Sequence, residues 1–213
     1  MTESLFPIEE PNTLFFEQQA REKGYQYVAG IDEAGRGPLA GPVVSAAVIL
    51  PSEFELPGLT DSKKLTEKKR ESLYPLIQQQ AIAVGIALAS PGEIDRLNIL
   101  QATLLSMRKA VSRLPVAADF LLIDGISPIH THLPQKTIKK GDSLSLSIAA
   151  ASVIAKVVRD RIMIAYDRHY PDFGFSRHKG YGSEDHRQTI ARLGPTPLHR
   201  KSFRGVKEFV GER

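Results

Sequence analysis

The chain contains no cysteine. Disulfides and thiolate metal sites are thereby excluded, and the composition is compatible with a reducing compartment. No apolar run approaches the roughly 20 residues a membrane-spanning helix requires, the longest being 43–50. The amino terminus, Met1-Thr2-Glu3-Ser4, lacks the basic region of a secretory signal. A cytoplasmic protein with no membrane attachment is the expectation. Internal repeats, low-complexity tracts and Gly/Ser-rich or Pro-rich linkers are also missing, which argues for one domain rather than an array. Strong charge of one sign is absent too: 28 Lys and Arg against 24 Asp and Glu leave a formal charge of +4. That excess permits a polyanionic partner without requiring one.

What is present is an ordinary globular balance of 42% hydrophobic and 24% charged residues over 213 positions, enough to bury a proper core. A short leading helix is predicted over 14–23, with Pro11, Asn12 and Thr13 as turn and cap and Gly24 as terminator. Its Leu14, Phe15 and Phe16 need a packing surface. The expected organisation is therefore a helical extension over 1–24 and a main domain over 25–213.

Runs 25–31 and 43–50 are rich in strand formers and flank a glycine-dense segment, 35–41, which reads as a hairpin with an irregular connection. A helix beginning near Thr66 should turn Leu73, Leu76 and Ile77 inward, ahead of a third strand over 82–89. Segment 98–114 places Leu100, Leu104, Met107 and Val111 at helical spacing, and a short strand over 120–123 ends in Asp124-Gly125. From Ser143 a long helix is predicted, because Leu144, Ile148, Ala151, Ala155, Val158 and Ile162 recur at steps of four and three. Its small residues, 149–152, would let it approach a sheet closely. The remainder is basic and punctuated by Gly and Pro, with one further helix over 183–193. Together these give an α/β domain with an early antiparallel meander and later helix-connected strands.

Three acidic sites stand where strands end or helices begin. Asp32-Glu33 follows the first strand, and alone it reads equally well as a solvated turn with an arginine counter-ion. Asp124 ends a strand, although Asp-Gly is also a common turn. Asp142 precedes the long helix, where it could simply cap it and complement its dipole. Their conjunction, without a cysteine nucleophile or a convincing Ser/His/Asp set, points to carboxylates gathered for hard, oxygen-loving cations rather than zinc. Two such ions can clamp a phosphodiester for in-line hydrolysis.

Competing motifs fail on context. The glycines of 35–41 are spaced Gly-x-Gly-x-x-x-Gly and lead into a strand, whereas a dinucleotide site needs a helix amino terminus there. No Walker A lysine pattern occurs. The six histidines are scattered, and the closest pair, His130 and His132, reads as loop, with zinc the lesser alternative.

At this point a family pattern emerges. Gly30-Ile31-Asp32-Glu33-Ala34-Gly35-Arg36-Gly37-Pro38-Leu39-Ala40-Gly41-Pro42-Val43-Val44 closely resembles the opening motif of ribonuclease HII. The resemblance continues through Asp61-Ser62-Lys63-Lys64-Leu65, Ile123-Asp124-Gly125, Lys140-Gly141-Asp142, Ser147-Ile148-Ala149-Ala150-Ala151-Ser152-Val153-Ile154-Ala155-Lys156 and His178-Lys179-Gly180-Tyr181-Gly182, covering about 30–203 in order. It implies a ribonuclease H-like fold, a central mixed β-sheet flanked by helices with a mostly helical carboxy-terminal portion. The family's four metal-coordinating acids fall on Asp32, Glu33, Asp124 and Asp142. The resemblance further implies Mg2+ or Mn2+ as cofactor, two ions with substrate, and RNA/DNA hybrids or ribonucleotide-containing duplex DNA as partners. The related HIII type usually carries a sizeable extra amino-terminal domain, and about 24 residues before the first strand disfavour it.

Reading a 2′-hydroxyl requires hydrogen bonds rather than charge. Gly35, Arg36 and Gly37 suit that task, since glycine admits close backbone approach and arginine neutralises a phosphate. The resemblance places this loop against the 2′-hydroxyl and scissile phosphate, and Tyr181 against the sugar of the next nucleotide. The lesser alternative for Tyr181 is a loop-packing residue. Lys63, Lys64, Lys179 and Arg200 are candidate phosphate contacts, while Lys68, Lys69 and Arg70 read as a solvated helix face. A monomer is expected, and 205–213 carry no recognisable clamp-binding motif. A non-catalytic nucleic-acid-binding module and a junction resolvase remain the alternatives, which a duplex with one embedded ribonucleotide would separate.

Overall fold

The amphipathic leading segment folds as α1 (Phe15–Glu22) in a computed structural model that describes residues 13–211. Pro11 and Asn12, expected in its cap, lie outside the described residues. Runs of valine, isoleucine and alanine then form β1 (Val28–Ala34) and β2 (Val43–Ile49). Thr66 caps α2 (Glu67–Gln80), accepting a hydrogen bond from the Lys69 amide, and β3 (Ala83–Ala89) follows. Next come α3 (Pro91–Leu97), a helix that sequence reading did not assign, and α4 (Ile99–Ser112), the helix expected over 98–114. A reciprocal Ser90–Glu93 capping box starts α3.

β4 (Phe120–Asp124) and a further strand, β5 (Gln135–Ile138), lead through a 3-10 turn at Gly141–Ser143 into α5 (Leu146–Asp167). The carboxy-terminal portion contains α6 (Phe175–His178) and α7 (Glu184–Leu193). Among the described residues no helix is long and apolar enough to cross a membrane.

The strands make one mixed sheet in the order β3-β2-β1-β4-β5. The meander β1–β2–β3 is antiparallel, with Gly30 opposite Val48 and Ala47 opposite Gly85. β4 lies parallel to β1, and β5 parallel to β4. One face is covered by α5 and, outside it, α2, through Ala46, Val48, Leu73, Ile77 and the alanines of α5. The other is covered by α4, through Ile31, Ile49, Met107 and Ile123. A third apolar cluster, with Leu39, Met163, Phe175 and Ile190, joins the carboxy-terminal helices to the rest.

Close approach of helix to sheet explains where the helices differ from expectation. A Cβ on Gly30 would sit 2.1 Å from the Ser147 carbonyl carbon, so α5 lies directly on β1. A Cβ on Gly85 would likewise meet the Ala110 carbonyl oxygen at 2.1 Å. α4 therefore turns its small residues, Ala102, Ser106 and Ala110, to the sheet alongside Met107. Leu100, one of the residues at helical spacing, is 37% exposed. α5 starts at Leu146 rather than Ser143, because Ser145 is its cap and accepts from the Ile148 amide at 3.2 Å. Leu144 precedes the helix and is exposed.

The leading helix does find a surface. Phe16 and Ala20 pack with Val28, Leu122, Ile138 and Ile148, while Phe15 stays exposed. Glu17, buried beneath it, accepts hydrogen bonds at Oε1 from the Ser145 hydroxyl at 2.6 Å, the Ser147 hydroxyl at 2.6 Å and the Ser147 amide at 3.0 Å. These bonds fasten the first turn of α5, which satisfies donors that a helix start leaves open.

Candidate active site

Parallel pairing brings the first two acids together. Ile31 pairs with Ile123, so Asp32 and Asp124 stand next to one another at the carboxyl ends of adjacent strands. The third arrives from β5: Asp124 pairs with Ile138, and the chain passes Lys140, at a φ of 59°, into the turn carrying Asp142. The Gly141 amide donates to Asp124 Oδ1 at 2.7 Å, fastening that turn to the strand end. Asp142 is left 5% exposed and Asp32 2% exposed. Side chains alternate along a strand: Gly30 contacts α5 and Ile31 packs toward α4, so Asp32 and Glu33 leave β1 on opposite faces. Glu33 thereby enters a cleft of about 310 Å³ shared with Arg36, Leu100, Asp124 and Ile126.

The acids act on one another electrostatically. Burial raises the Asp32 pKa well above the usual carboxylate range, and Glu33 and Asp124 push it further. Glu33 is raised by burial, opposed by Arg36, whose Nη1 lies 3.4 Å from Glu33 Oε1, and raised again by Asp124. Asp142 is raised by burial, with Lys63 working against the shift and Asp124 adding to it. Asp32 Oδ1 accepts from the Glu33 amide at 2.7 Å, whereas its buried Oδ2 has no hydrogen-bond partner. A buried carboxylate oxygen without a partner is costly unless something positive reaches it.

Lysine supplies part of that charge. Ser62 is locked to Ser152 of α5 by hydroxyls 2.7 Å apart, and Arg70 Nη1 donates to the carbonyls of Ser62 and Leu65. Arg70 thus holds the loop of residues 61–65 and is not the solvated residue expected. The loop delivers Lys63 Nζ to 3.3 Å from Asp142 Oδ2. Burial works against the Lys63 ammonium, but Asp142 and Asp32 outweigh it and raise its pKa. Lys64 Nζ reaches the Ser143 hydroxyl at 3.4 Å.

Among the described residues, no three Asp, Glu or His side chains already close into a metal cage. The donor set is nevertheless all oxygen, crowded with negative charge and includes the orphaned Asp32 Oδ2, which fits a hard divalent cation. His130 and His132 are loop residues, as expected.

Beside the acids, two buried arginines build the glycine loop. Arg159, wholly buried in α5, donates to the carbonyls of Pro42 at 3.0 Å, Ala40 at 3.2 Å and Lys179 at 3.0 Å. Arg200 donates to the carbonyls of Gly41 at 3.0 Å, Arg36 at 2.8 Å and Gly35. Arg200 is therefore not a phosphate contact: it is 0% exposed and its guanidinium faces backbone carbonyls. Burial pushes its pKa down to about 9, with Arg159 adding to the effect. Sequence reasoning missed Arg159, although an arginine between Val158 and Asp160, in register with the buried face of α5, was the available signal.

These bonds fix the loop of Gly35, Arg36 and Gly37, of which Gly37 stands nearest Tyr181. Gly35 has a φ of +99°, and a Cβ there would fall 2.0 Å from Arg159 Nε. Gly37 differs: the nearest atom to its added Cβ is Tyr181 Cε1, at 3.9 Å. Tyr181 is 47% exposed, with the Arg159 guanidinium carbon 5.9 Å from its ring centre. Lys179, in a left-handed conformation at a φ of 51°, donates its ammonium to the Ser176 carbonyl.

A mixed sheet of this topology, with helices on both faces and carboxylates at the ends of its central strands, defines a hydrolase of the ribonuclease H class. The comparisons narrow it. The family model of ribonuclease HII matches residues 29–206. Ribonuclease HII of Syntrophotalea carbinolica is 63% identical over 206 residues, covering 97% of this chain and 99% of that protein. The crystal structure of ribonuclease H2 from Pyrococcus horikoshii superposes with a TM-score of 0.72 at 25% identity, over 85% of this chain and 96% of that one. The ribonuclease HII of Archaeoglobus fulgidus, solved as a complex with PCNA, gives a TM-score of 0.72 at 28% identity, over 84% and 95%. The chain belongs to the ribonuclease HII family, and is a ribonuclease H endonuclease acting on RNA/DNA.

Proposed function

We propose that this chain nicks duplex DNA on the 5′ side of embedded ribonucleotides and cuts the RNA strand of RNA/DNA hybrids, leaving 3′-hydroxyl and 5′-phosphate ends. Asp32, Glu33, Asp124 and Asp142 would hold two Mg2+ or Mn2+ ions with substrate. The observation that carries this reading is the buried, unpartnered Oδ2 of Asp32 within a group of acids in which burial and neighbouring carboxylates raise the pKa of Asp32, Glu33 and Asp142. When bound, the metals activate the attacking water and stabilise the leaving oxygen.

The chain's own residues do the rest. Asp32 and Asp124, fixed by strand pairing, hold their carboxylates at one sheet end, and the Gly141 amide orients Asp124. Lys63 neutralises Asp142 in the absence of other cations and is free to turn to a backbone phosphate, being 75% exposed. Lys64 lies on the same side. Lys179 reaches a phosphate by releasing the Ser176 carbonyl. The backbone of Gly35, Arg36 and Gly37 reads the 2′-hydroxyl, Arg36 meets the scissile phosphate, and Tyr181 stacks on the following sugar. The catalytic unit is read as 25–213, with the extension 1–24 contributing the Glu17 clasp on α5, and the working form as a monomer.

A duplex carrying one ribonucleotide tests this. Metal-dependent nicking 5′ of the ribonucleotide supports the reading, and a flat salt dependence of binding would argue against the lysine contacts. Binding without cleavage, or a preference for branched DNA, would replace the reading with a binding module or a resolvase.

A further inference from the structure

Beneath Tyr181 lie three histidines that the proposed chemistry leaves unused. His186 of α7 and His199 are 0% and 1% exposed, and their Nε2 atoms are 3.0 Å apart. Two ring nitrogens at that distance share one proton, so one ring donates and the other accepts. The backbone decides which. The Thr196 amide, which can only donate, points at His199 Nδ1 at 2.9 Å. His199 Nδ1 is thus an acceptor, and its proton sits on Nε2. His186 Nε2 must then accept, which puts the His186 proton on Nδ1, where it donates to the Tyr181 carbonyl at 2.8 Å. Each bond fixes the next, from Thr196 to Tyr181.

The surroundings keep this chain of bonds dry and neutral. Phe173 and Phe175 pack around both rings, and His178 stacks on His186 with centroids 4.3 Å apart. His178 is itself oriented, accepting at Nδ1 from the Gly180 amide at 3.1 Å and donating from Nε2 to the Phe173 carbonyl. Burial pushes His186 down to about 4, and burial together with His186 pushes His199 down to about 3. The far side is anchored too, because His199 bridges Ala40 and the Leu39 amide donates to the Gly180 carbonyl at 2.8 Å.

We infer that His186 and His199 form a directional relay of neutral imidazoles that positions Tyr181 against the glycine loop for recognition of the sugar. They are positioning residues, and the inference rests on the sugar-reading role proposed for Tyr181. Protonating His186 would set two N–H groups against each other across the 3.0 Å gap, protonating His199 would turn an Nδ1–H against the Thr196 amide at 2.9 Å, and an apolar residue at 199 would leave His186 Nε2 without its donor.

The test combines spectroscopy with kinetics on the full chain. Imidazole nitrogen–proton correlation spectra of the wild type should show His199 protonated at Nε2 and His186 at Nδ1, whatever the enzyme cuts. The opposite tautomers, or a charged ring at pH 7, would overturn the relay. On a duplex with one ribonucleotide, His199→Leu should raise KM about tenfold, the worth of roughly one buried hydrogen bond, with kcat changed less than about twofold. His199→Gln, whose amide can still donate to His186, should recover most of that loss. In a Tyr181→Ala background, His199→Leu should add little. A full-sized additional loss there, or no loss in the wild-type background, would refute the link to Tyr181. If the wild type ignores the ribonucleotide substrate while the tautomers stand, the proposed function fails and the bonding pattern survives.

Discussion

Gly35 and Gly37 stand two residues apart in one loop, yet alanine should fail at them for opposite reasons. At Gly35 the φ of +99° disfavours any side chain, and the new Cβ would fall 2.0 Å from Arg159 Nε and 2.8 Å from the Pro42 carbonyl oxygen. Backbone strain of roughly 1–3 kcal/mol adds to the loss of an arginine hydrogen bond worth about 1.5 kcal/mol or more. The total, on the order of 3 kcal/mol, should lower Tm by roughly 6–12 °C in a chain of this size. At Gly37 the backbone is unstrained and the nearest atom is 3.9 Å from the added carbon, an ordinary contact. Gly37→Ala should leave Tm within about 2 °C of the wild type, with any gain coming from a less flexible unfolded chain. Under the proposed sugar-reading role of the loop, the methyl group would instead stand where the sugar approaches. Cleavage of a duplex with one ribonucleotide should fall by about tenfold or more in kcat/KM, since a backbone hydrogen bond to the 2′-hydroxyl is lengthened or lost. Calorimetry and steady-state cleavage on the two variants measure both quantities. Wild-type cleavage by Gly37→Ala would refute the sugar-reading role of the loop, and equal destabilisation by the two alanines would refute the geometric distinction.

Two further outcomes follow from buried polar groups elsewhere. His199 is held neutral with a pKa near 3, below the value of about 6.5 it has when unfolded. The native state therefore binds fewer protons than the unfolded chain between these values, and this group's contribution is complete above pH 6.5 and falls as pH drops. Between pH 6 and 4 the wild type should lose about 1.4 kcal/mol per pH unit more than His199→Gln, read by urea unfolding; parallel pH profiles would contradict the assignment. Glu17→Ala would free three donors on Ser145 and Ser147 and should cost roughly 2–4 kcal/mol, with faster amide exchange in the first turn of α5. Glu17→Gln keeps the accepting oxygen and should cost less; no change in either variant would show that the clasp does not hold the helix start.

Strands β1 to β4 were legible in the sequence because they are runs of β-branched and small apolar residues, and because Asp32 and Asp124 stand toward the ends of two of them. What periodicity could not show was the depth of packing. The spacing of Leu100, Leu104, Met107 and Val111 marks α4 as a helix but not which residues meet the sheet, and Gly85 draws it so close that alanine and serine take the contact. β5 is four residues long and mostly polar, Gln-Lys-Thr-Ile, so no alternation marks it. Without β5 the delivery of Asp142 by a 3-10 turn was also out of reach, and the acid read equally well as a helix cap. Arg200 reads as a phosphate contact because basic residues on several segments could converge around the acids. Its burial depends on carbonyls of residues 35, 36 and 41, a long-range arrangement that local composition does not encode. The same holds for His186 and His199, which meet only when the carboxy-terminal loops fold over Phe173 and Phe175.

The central claim is that the carboxylates at the sheet end grip divalent cations that the reaction requires. Calorimetric titration of Mg2+ or Mn2+ into the wild type and Asp142→Asn, paired with cleavage of the single-ribonucleotide duplex, tests it most directly. The substitution keeps the size of a side chain that is 5% exposed while removing one charge from the group. Metal affinity should fall with Tm preserved, and cleavage should drop by about a thousandfold, equivalent to about 4 kcal/mol of lost transition-state stabilisation. Wild-type cleavage by Asp142→Asn, or wild-type activity in excess EDTA, would contradict the account.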